Sequence, residues 1–475
     1  MRDRVQLIAY ADRFGGSLRG LRLLLEGPLA GVFGGVHVLP FYSPYDGADA
    51  GFDPDDHLAV DPRLGTWADV AALARDRDVV ADLIVNHMSD RSGPFRDVVE
   101  RGDASPYAGM FLAYDRVFPT GATEADLLRI VRPRPNLPFT RVEVGGRPRL
   151  LWTTFTPHQI DLDVHDAGAR SYLSRVLRRL AECGVTMVRL DAVGYTVKSA
   201  GTSCFLTPQT LAFVDDLTTE ARGLGLRVLA EVHAHHRYAG QAATHVDRVY
   251  DFALAPLVLH TVFTADSDPL RRWLATRPAN AVTVLETHDG LGMLDAAGLL
   301  TSPQIEAVIE RIGSNSNGTS VTSRVPGGAY QVSCTAYDAL GRDDRAYLLA
   351  RILQLFTPGV PQVYYVGLLA GRNVAFTGDA REINRRRYTA AEVDGALRQP
   401  VVEALLELIH LRNGHPAFDG EFSLPAAADG ELVLSWRTGD ASAELRVVLP
   451  DSSWQVTCSA GGETRIWADT DLVPG

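Results

Sequence analysis

The sequence predicts an α/β protein: a (β/α)8 TIM barrel with two inserted loop subdomains and a C-terminal antiparallel β domain. Three observations carry this. Eight apolar, largely β-branched runs recur, at residues 6–10, 35–39, 79–85, 186–190, 227–230, 249–252, 282–285 and 362–366. Segments of helical character separate them, such as 166–182, where Leu173, Val176, Leu177 and Leu180 share one face. Four of the runs stop on side chains that handle protons: Ala-Asp-Leu-Ile-Val-Asn86-His87, Val-Thr-Met-Val-Arg189-Leu-Asp191, Arg-Val-Leu-Ala-Glu231-Val-His233 and Val-Thr-Val-Leu-Glu286-Thr-His288-Asp289. A buried parallel strand reads as an uninterrupted apolar run, and the strand ends of a βα barrel carry its chemistry.

The elements fall in order along the chain. Residues 1–87 make the first part of the barrel, 166–289 the second and 342–416 the third. Two intervals between strands are too long for simple loops. Residues 88–165 hold Pro- and Gly-rich stretches with short strand signals and read as one inserted subdomain. Residues 290–341 hold a helix followed by a long loop, from Gly313-Ser-Asn-Ser-Asn-Gly to Pro326-Gly327-Gly328, and read as a second insertion over the barrel mouth. From 417 to 475 short alternating runs such as Leu432-Val-Leu-Ser-Trp and Leu445-Arg-Val-Val-Leu point to a small antiparallel β domain.

Composition narrows the function. A chain of 475 residues, 46% hydrophobic and 22% charged, is an ordinary globular protein with room for a large barrel. Its net charge of −12 disfavours nucleic acid or an anionic membrane as partner. No apolar run reaches membrane-spanning length. The opening residues enter a strand at once and lack the pattern of a signal peptide. Cys183, Cys204, Cys334 and Cys458 lie far apart without metal-like spacing, which suits reduced thiols and a cytoplasmic location. Asp55, Asp56 and His57 adjoin in sequence but read as loop hydrogen-bonding groups, so no metal site is expected.

Asp191, Glu231 and Asp289 arrive at three strand ends. Together they suit retaining glycosyl transfer, in which a carboxylate attacks the anomeric carbon and a carboxylic acid protonates the leaving oxygen. Arg189, two residues before Asp191, shares its face of the strand and should hold the nucleophile ionised. Glu231 is the natural proton donor. Each residue alone has a plainer reading: Arg-x-Asp can be an ion pair, and His87, His233 and His288 can be packed histidines. The ordered set of four motifs is far more specific.

In order and spacing these motifs resemble those of the α-amylase superfamily, glycoside hydrolase family 13, over nearly the whole chain. More narrowly, Gly47-Ala-Asp49-Ala-Gly51-Phe52-Asp53-Pro54, Arg132-Pro-Arg134-Pro, Phe155-Thr-Pro, Leu190-Asp191-Ala-Val-Gly-Tyr195, Gly201-Thr-Ser-Cys-Phe and Pro358-Gly-Val-Pro-Gln-Val-Tyr-Tyr are similar to the sucrose phosphorylase branch. The resemblance implies Asp191 as nucleophile, Glu231 as general acid/base and Asp289 as transition-state stabiliser. It implies that Asp49, Phe52, His87, Arg189, His288 and Arg385 surround a glucosyl group, that Phe155, Gln159 and Tyr195 line the site, and that no cofactor is needed. Arg134, Tyr330 and Gln331 fall on mobile loops around the acceptor, with His233 as a further donor to phosphate; Arg134 can also be read as a surface arginine between prolines. Arg386 and Arg387 read as solvated. The implied substrates are sucrose or a related α-glucoside and inorganic phosphate, and a homodimer is left open.

Three departures stand out. The family's Leu-Asp pair before Tyr-Gln is missing from Pro326-Gly327-Gly328-Ala329-Tyr330-Gln331, Glu286 replaces the usual Asp, and Arg386 the usual His. The glucosyl half of the site is therefore well specified and the acceptor half is not. Glucosylglycerol, glucosylglycerate or sucrose 6′-phosphate are alternative glucosides, and a hydrolase, a transglucosidase or a binding barrel without catalysis are alternative classes.

Overall fold

The computed structural model describes residues 4–46, 49–133, 136–325 and 328–472. Eight parallel strands close into a barrel: β1 (Gln6–Ala9), β2 (Gly35–Val38), β3 (Asp78–Ile84), β4 (Met187–Asp191), β5 (Arg227–Ala230), β6 (Arg248–Asp251), β7 (Ala281–Thr283) and β8 (Val360–Tyr364). They neighbour one another in chain order, and β8 returns to β1. All residues of β1, β2, β4 and β8 are buried, which is why these strands read as continuous apolar runs rather than alternating ones. The strand ends differ from expectation by one residue at most in β1 to β6 and by up to two in β7 and β8. β7 stops at Thr283, so Glu286 lies beyond it, and β8 begins at Val360 with Pro361 inside it, opposite Thr283. Proline reads as a stop in sequence, yet it is tolerated near the start of a strand.

The chain packs as two compact units, one of Met1–His37, His233–Gly240 and Tyr250–Gly475, the other of Val38–Val232 and Gln241–Val249. In the second, β3, β4 and β5 run in register, with Arg189 level with Asp82 on one side and Leu229 on the other. A slip of one residue would turn these inward groups outward. The helix Ala167–Glu182 starts on Asp166, whose carboxylate accepts the amides of Gly168 and Ala169, and it buries Leu173, Val176, Leu177 and Leu180 as its pattern requires. Within the inserted segment, a hairpin of Phe139–Val144 and Arg147–Trp152 turns on Gly145 (φ +56°) and Gly146 (φ +75°), a pair of left-handed residues that favours glycine twice. Trp152 packs there with Leu112, Val117, Phe118, Ile130 and Cys204. The short strand His87–Ser89 pairs with Gln159–Asp161. Buried Lys198 fastens this junction, ion-paired with Asp161 and donating to Asn86 Oδ1 at 2.8 Å. His57 is a packed histidine: its Nδ1 lies 2.9 Å from the Tyr172 hydroxyl, and burial pushes it down to about 3.

In the first unit, the long loop expected before Tyr330 is instead a hairpin. Val321–Val325 and Gly328–Ser333 pair antiparallel, and Leu291–Gly292 adds a third strand. Its sequence signal, two strand-forming stretches flanking Pro326-Gly327, is masked by small and polar residues. The five-stranded antiparallel tail comprises β9 (Glu421–Ser423), β10 (Glu431–Thr438), β11 (Ala441–Val448), β12 (Ser453–Ala460) and β13 (Glu463–Ala468), in that order. Its Trp436 indole donates to the Phe356 carbonyl at 2.8 Å. All four cysteines are buried and unbridged. No helix among the described residues is long and apolar enough to cross a membrane.

Glu286 has a structural partner. It forms a wholly buried ion pair with Arg351 and accepts the Ala336 amide at 2.5 Å. Arg351 also donates to the Tyr347 hydroxyl at 2.9 Å and to Gln354 Oε1 at 3.0 Å. Gly367 lets the pair form, since a Cβ there would fall 1.8 Å from Glu286 Oε1. Arg351→Met strands a buried carboxylate and should cost about 3–5 kcal/mol. Thermal unfolding should show a lowered midpoint that adding Glu286→Gln restores by more than half; equal losses in the single and double variants would contradict the pairing.

Candidate active site

One guanidinium organises the site residues of the second unit. Arg189, 2% exposed, rises from β4 and reaches three carboxylates at once. It pairs with Asp82 of β3, with Asp191 Oδ1 at 3.1 Å and with Glu231 Oε1 at 2.6 Å. Its other face is covered by the Phe52 ring, 5.4 Å from guanidinium carbon to centroid. The chain turns sharply after Asp191. Ala192 takes a left-handed φ of +52°, uncommon for a residue with a Cβ, and its amide donates to Glu231 Oε2 at 3.2 Å.

Three carboxylates around one cation leave an excess of negative charge. Burial, then the charge of Glu231, push the Asp191 carboxyl well above the usual range, while Arg189 pulls the other way and Asp82 and Asp49 add to the rise. Arg189 thus acts in the direction the sequence suggests, but burial and like charge outweigh it. The Asp191 carboxyl is thereby biased toward its protonated form.

Around this core stand the other expected residues of the unit. His87 Nε2 lies 2.9 Å from the Phe52 carbonyl and 3.1 Å from Gln159 Nε2, and burial lowers its pKa. Gln159 also donates to Asp49 Oδ2 at 3.2 Å. Phe155 packs between His87 and Tyr195, with ring centroids 5.4 and 5.3 Å away, and Tyr195 leans on Phe205 at 4.7 Å. The short pairing of His87–Ser89 with Gln159–Asp161 brings His87 and Gln159 together across 72 positions of sequence.

The first unit holds a second constellation. After β7 the chain makes a tight turn in which Thr287 and Gly290 exchange backbone hydrogen bonds at 3.1 Å, with Gly290 at φ +99°. This exposes two carbonyls to clamping: Asn384 Nδ2 donates to those of Thr287 (3.0 Å) and His288 (3.2 Å), and Arg385 Nε to that of His288 (2.8 Å). A second arm of Arg385 reaches Asp289 Oδ1 at 3.2 Å. Burial acts to raise the Asp289 carboxyl, but the charges of His288, Arg385, His233 and Arg381 outweigh it and hold Asp289 well below the usual carboxylate range. Tyr10 presents its ring edge-on to His288, 5.9 Å between centroids, under the Arg385 guanidinium.

His233 stacks on Phe252, with ring centroids 3.7 Å apart, and its Nδ1 faces Asp295 Oδ2 at 3.3 Å. Tyr330 lies 5.8 Å from His233, on the strand Gly328–Ser333 where Gln331 pairs with Gly292. Tyr330 and Gln331 are therefore strand residues, which corrects the loop expected for them. Arg134 lies outside the described residues. Arg386 and Arg387 are on the surface, paired with Glu392 and Asp12. Sequence reasoning missed Asp82, Ala192 and Asp295. Asp82 had a signal, a carboxylate in the middle of an apolar strand; the other two had none.

A family model for the catalytic domain of alpha amylase matches residues 31–260. The chain is 50% identical to a sucrose phosphorylase of Agrobacterium vitis, over 97% of this chain and 98% of that one. It is 45% identical to a sucrose phosphorylase of Bifidobacterium adolescentis, over 94% and 92%. The chain belongs to the sucrose phosphorylase family, within the α-amylase superfamily. It is an enzyme, a glycoside phosphorylase of glycosyltransferase type. A crystal structure of sucrose 6F-phosphate phosphorylase from Thermoanaerobacter thermosaccharolyticum matches it with a TM-score of 0.93 at 36% identity, over 98% of both chains.

The strand Gly328–Ser333 opens on a glycine with a special backbone conformation. Gly328 has a φ of +135° and open space where a Cβ would stand. Volume would admit a side chain there, but the backbone conformation strains any residue other than glycine.

The raised Asp191 carboxyl has a consequence for stability. Its ionised form is disfavoured in the folded state, so it opposes folding increasingly as pH rises above the ordinary carboxylate range near about 4. Asp191→Asn should raise the thermal midpoint at pH 7.5 by roughly 2 °C, with the gain shrinking toward pH 4.5. Scanning calorimetry at both pH values checks this; a gain that is constant or grows toward acid would contradict it.

Proposed function

We propose that the protein is a sucrose phosphorylase, converting sucrose and phosphate reversibly to α-D-glucose 1-phosphate and fructose. The observation that carries the chemistry is the pairing of Asp191 and Glu231 with the two arms of one guanidinium. Carboxylates on one fork are close neighbours, as a retaining enzyme requires, whereas an inverting one keeps them roughly 6.5–9.5 Å apart for a water. The choice of sucrose is supported by the two relatives named for it.

In the first step an Asp191 oxygen attacks the anomeric carbon as the bond to the fructosyl oxygen breaks, and Glu231 gives that oxygen its proton. In the second, a phosphate oxygen attacks the same carbon, the bond to Asp191 breaks, and Glu231 takes up the proton. Two inversions return the α configuration. With the proton on Glu231, one opposing charge fewer faces Asp191, and Arg189 favours its ionised form. Asp289, held ionised, accepts from sugar hydroxyls and stabilises positive charge at the anomeric carbon. Asp49, Phe52, His87, His288 and Arg385 hold the glucosyl ring, with Phe155, Gln159 and Tyr195 beside it. Arg134, His233, Tyr330 and Gln331 receive phosphate, and other hydroxylated acceptors can replace it in transglucosylation. The unbridged cysteines support a cytoplasmic location.

A second reading keeps the glucosyl chemistry and changes the leaving partner. It is favoured by Gly328, where the family's carboxylate for fructose is replaced by a glycine-only backbone, and by the structural neighbour named for sucrose 6F-phosphate. Glucosylglycerol or glucosylglycerate would fit the same argument.

Sucrose incubated with the purified protein should yield glucose 1-phosphate only when phosphate is present. Free glucose released at one rate with and without phosphate would make the protein a hydrolase. A panel of acceptors with glucose 1-phosphate as donor separates the two phosphorylase readings. Glu231→Gln should slow turnover of sucrose by about 10²–10⁴-fold while largely sparing α-glucosyl fluoride, whose leaving group needs no proton; equal losses on both donors would remove Glu231 from the acid role.

A further inference from the structure

Asp295 lies in none of the sequence motifs, yet it grips a residue assigned to the acceptor. Its Oδ2 stands 3.3 Å from His233 Nδ1, and its Oδ1 accepts the Ala234 amide at 3.2 Å. The carboxylate is buried in the single turn Leu294–Ala296. That turn follows Met293, whose amide donates to the Tyr330 carbonyl at 3.0 Å. The same short segment therefore touches both His233 and the strand that carries Tyr330.

The imidazole has little freedom. One face stacks on Phe252 at 3.7 Å with an interplanar angle of 13°, and Phe252 stacks in turn on Tyr250 at 4.9 Å. Gly292 closes the ring edge: a Cβ there would stand 3.4 Å from His233 Cε1 and 3.0 Å from Asp295 Oδ2. An ionised carboxylate only accepts, so the ring nitrogen facing it carries the hydrogen. The hydrogen bond at one ring nitrogen decides what the other can do.

We propose that Asp295 is a positioning residue for acceptor transfer, holding His233 with Nδ1 protonated so that Nε2 meets the incoming phosphate or sugar hydroxyl. Stacking fixes the plane of the ring, and Asp295 fixes its tautomer and its rotation within that plane. The kinetic consequence rests on the phosphorylase reading above; the tautomer does not.

Two measurements on the full-length protein test it. In phosphorolysis of sucrose, Asp295→Asn should lower kcat/KM for phosphate about tenfold, the size of coupling usual for contacting residues. Combined with His233→Asn it should lower it no further than His233→Asn alone. Losses that multiply would show that Asp295 does not act through His233. Side-chain nitrogen NMR of the histidines, with His233 assigned by its Asn variant, should report Nδ1–H in the wild type and a shift toward Nε2–H in Asp295→Ala. An identical tautomer in both proteins would overturn the proposal. A wild type that makes no glucose 1-phosphate would refute the phosphorylase reading and leave the NMR result to decide on Asp295.

Discussion

The site depends on a buried guanidinium shared by more carboxylates than it can neutralise. Arg189 meets Asp82, Asp191 and Glu231 from three neighbouring strands or their ends, so it requires β3, β4 and β5 to stay in register. Removing these charges from water is costly, and a buried ion cluster is weak evidence for stability. Its value here is chemical. Burial and the surplus of negative charge push the Asp191 carboxyl up against the pull of Arg189. The left-handed Ala192 belongs to the same device, because it aims its amide at the Glu231 carboxylate.

Asp289 shows the opposite electrostatics. It is only partly buried, and the cations and imidazoles around it outweigh the desolvation. Two carboxyls of one type are thereby pushed in opposite directions by their neighbours. The turn that carries Asp289 is held through its backbone by Asn384 and Arg385, so the charge is placed by carbonyl clamps rather than by its own side chain alone.

Much of this was legible in sequence, for a physical reason. Strands buried on both faces leave long apolar runs, and the polar residues that end them are few enough to notice. Asp191, Glu231, Asp289 and His87 were visible in this way, whereas Arg385 came only from the family resemblance. What was hidden depends on register or on distant contacts. Asp82 matters because β3 sets it level with Arg189, and Asp295 because a loop returns to His233. Glu286 looked like a substitution near the chemistry, but its longer side chain reaches Arg351 in the core. Tyr330 and Gln331 were placed on a loop by the family resemblance, whereas they lie on the strand Gly328–Ser333. β8 was expected two residues late, at 362–366, whereas the strand runs Val360–Tyr364 with Pro361 inside it.

The two halves of the reaction are thus unequally specified. On the glucosyl side, side chains hold one another through buried ion pairs and hydrogen bonds, and identity to named sucrose phosphorylases agrees with them. On the proposed acceptor side, Gly328 takes a glycine-only conformation with open space where a Cβ would stand. The central claim is that the Arg189-bound Asp191 becomes covalently glucosylated. It is tested most directly by mass spectrometry of Glu231→Gln protein quenched during turnover of α-glucosyl fluoride. The account predicts one anhydroglucose on the peptide that carries Asp191. A label on Asp289 or Glu286, or an unlabelled protein that still turns over, would contradict it.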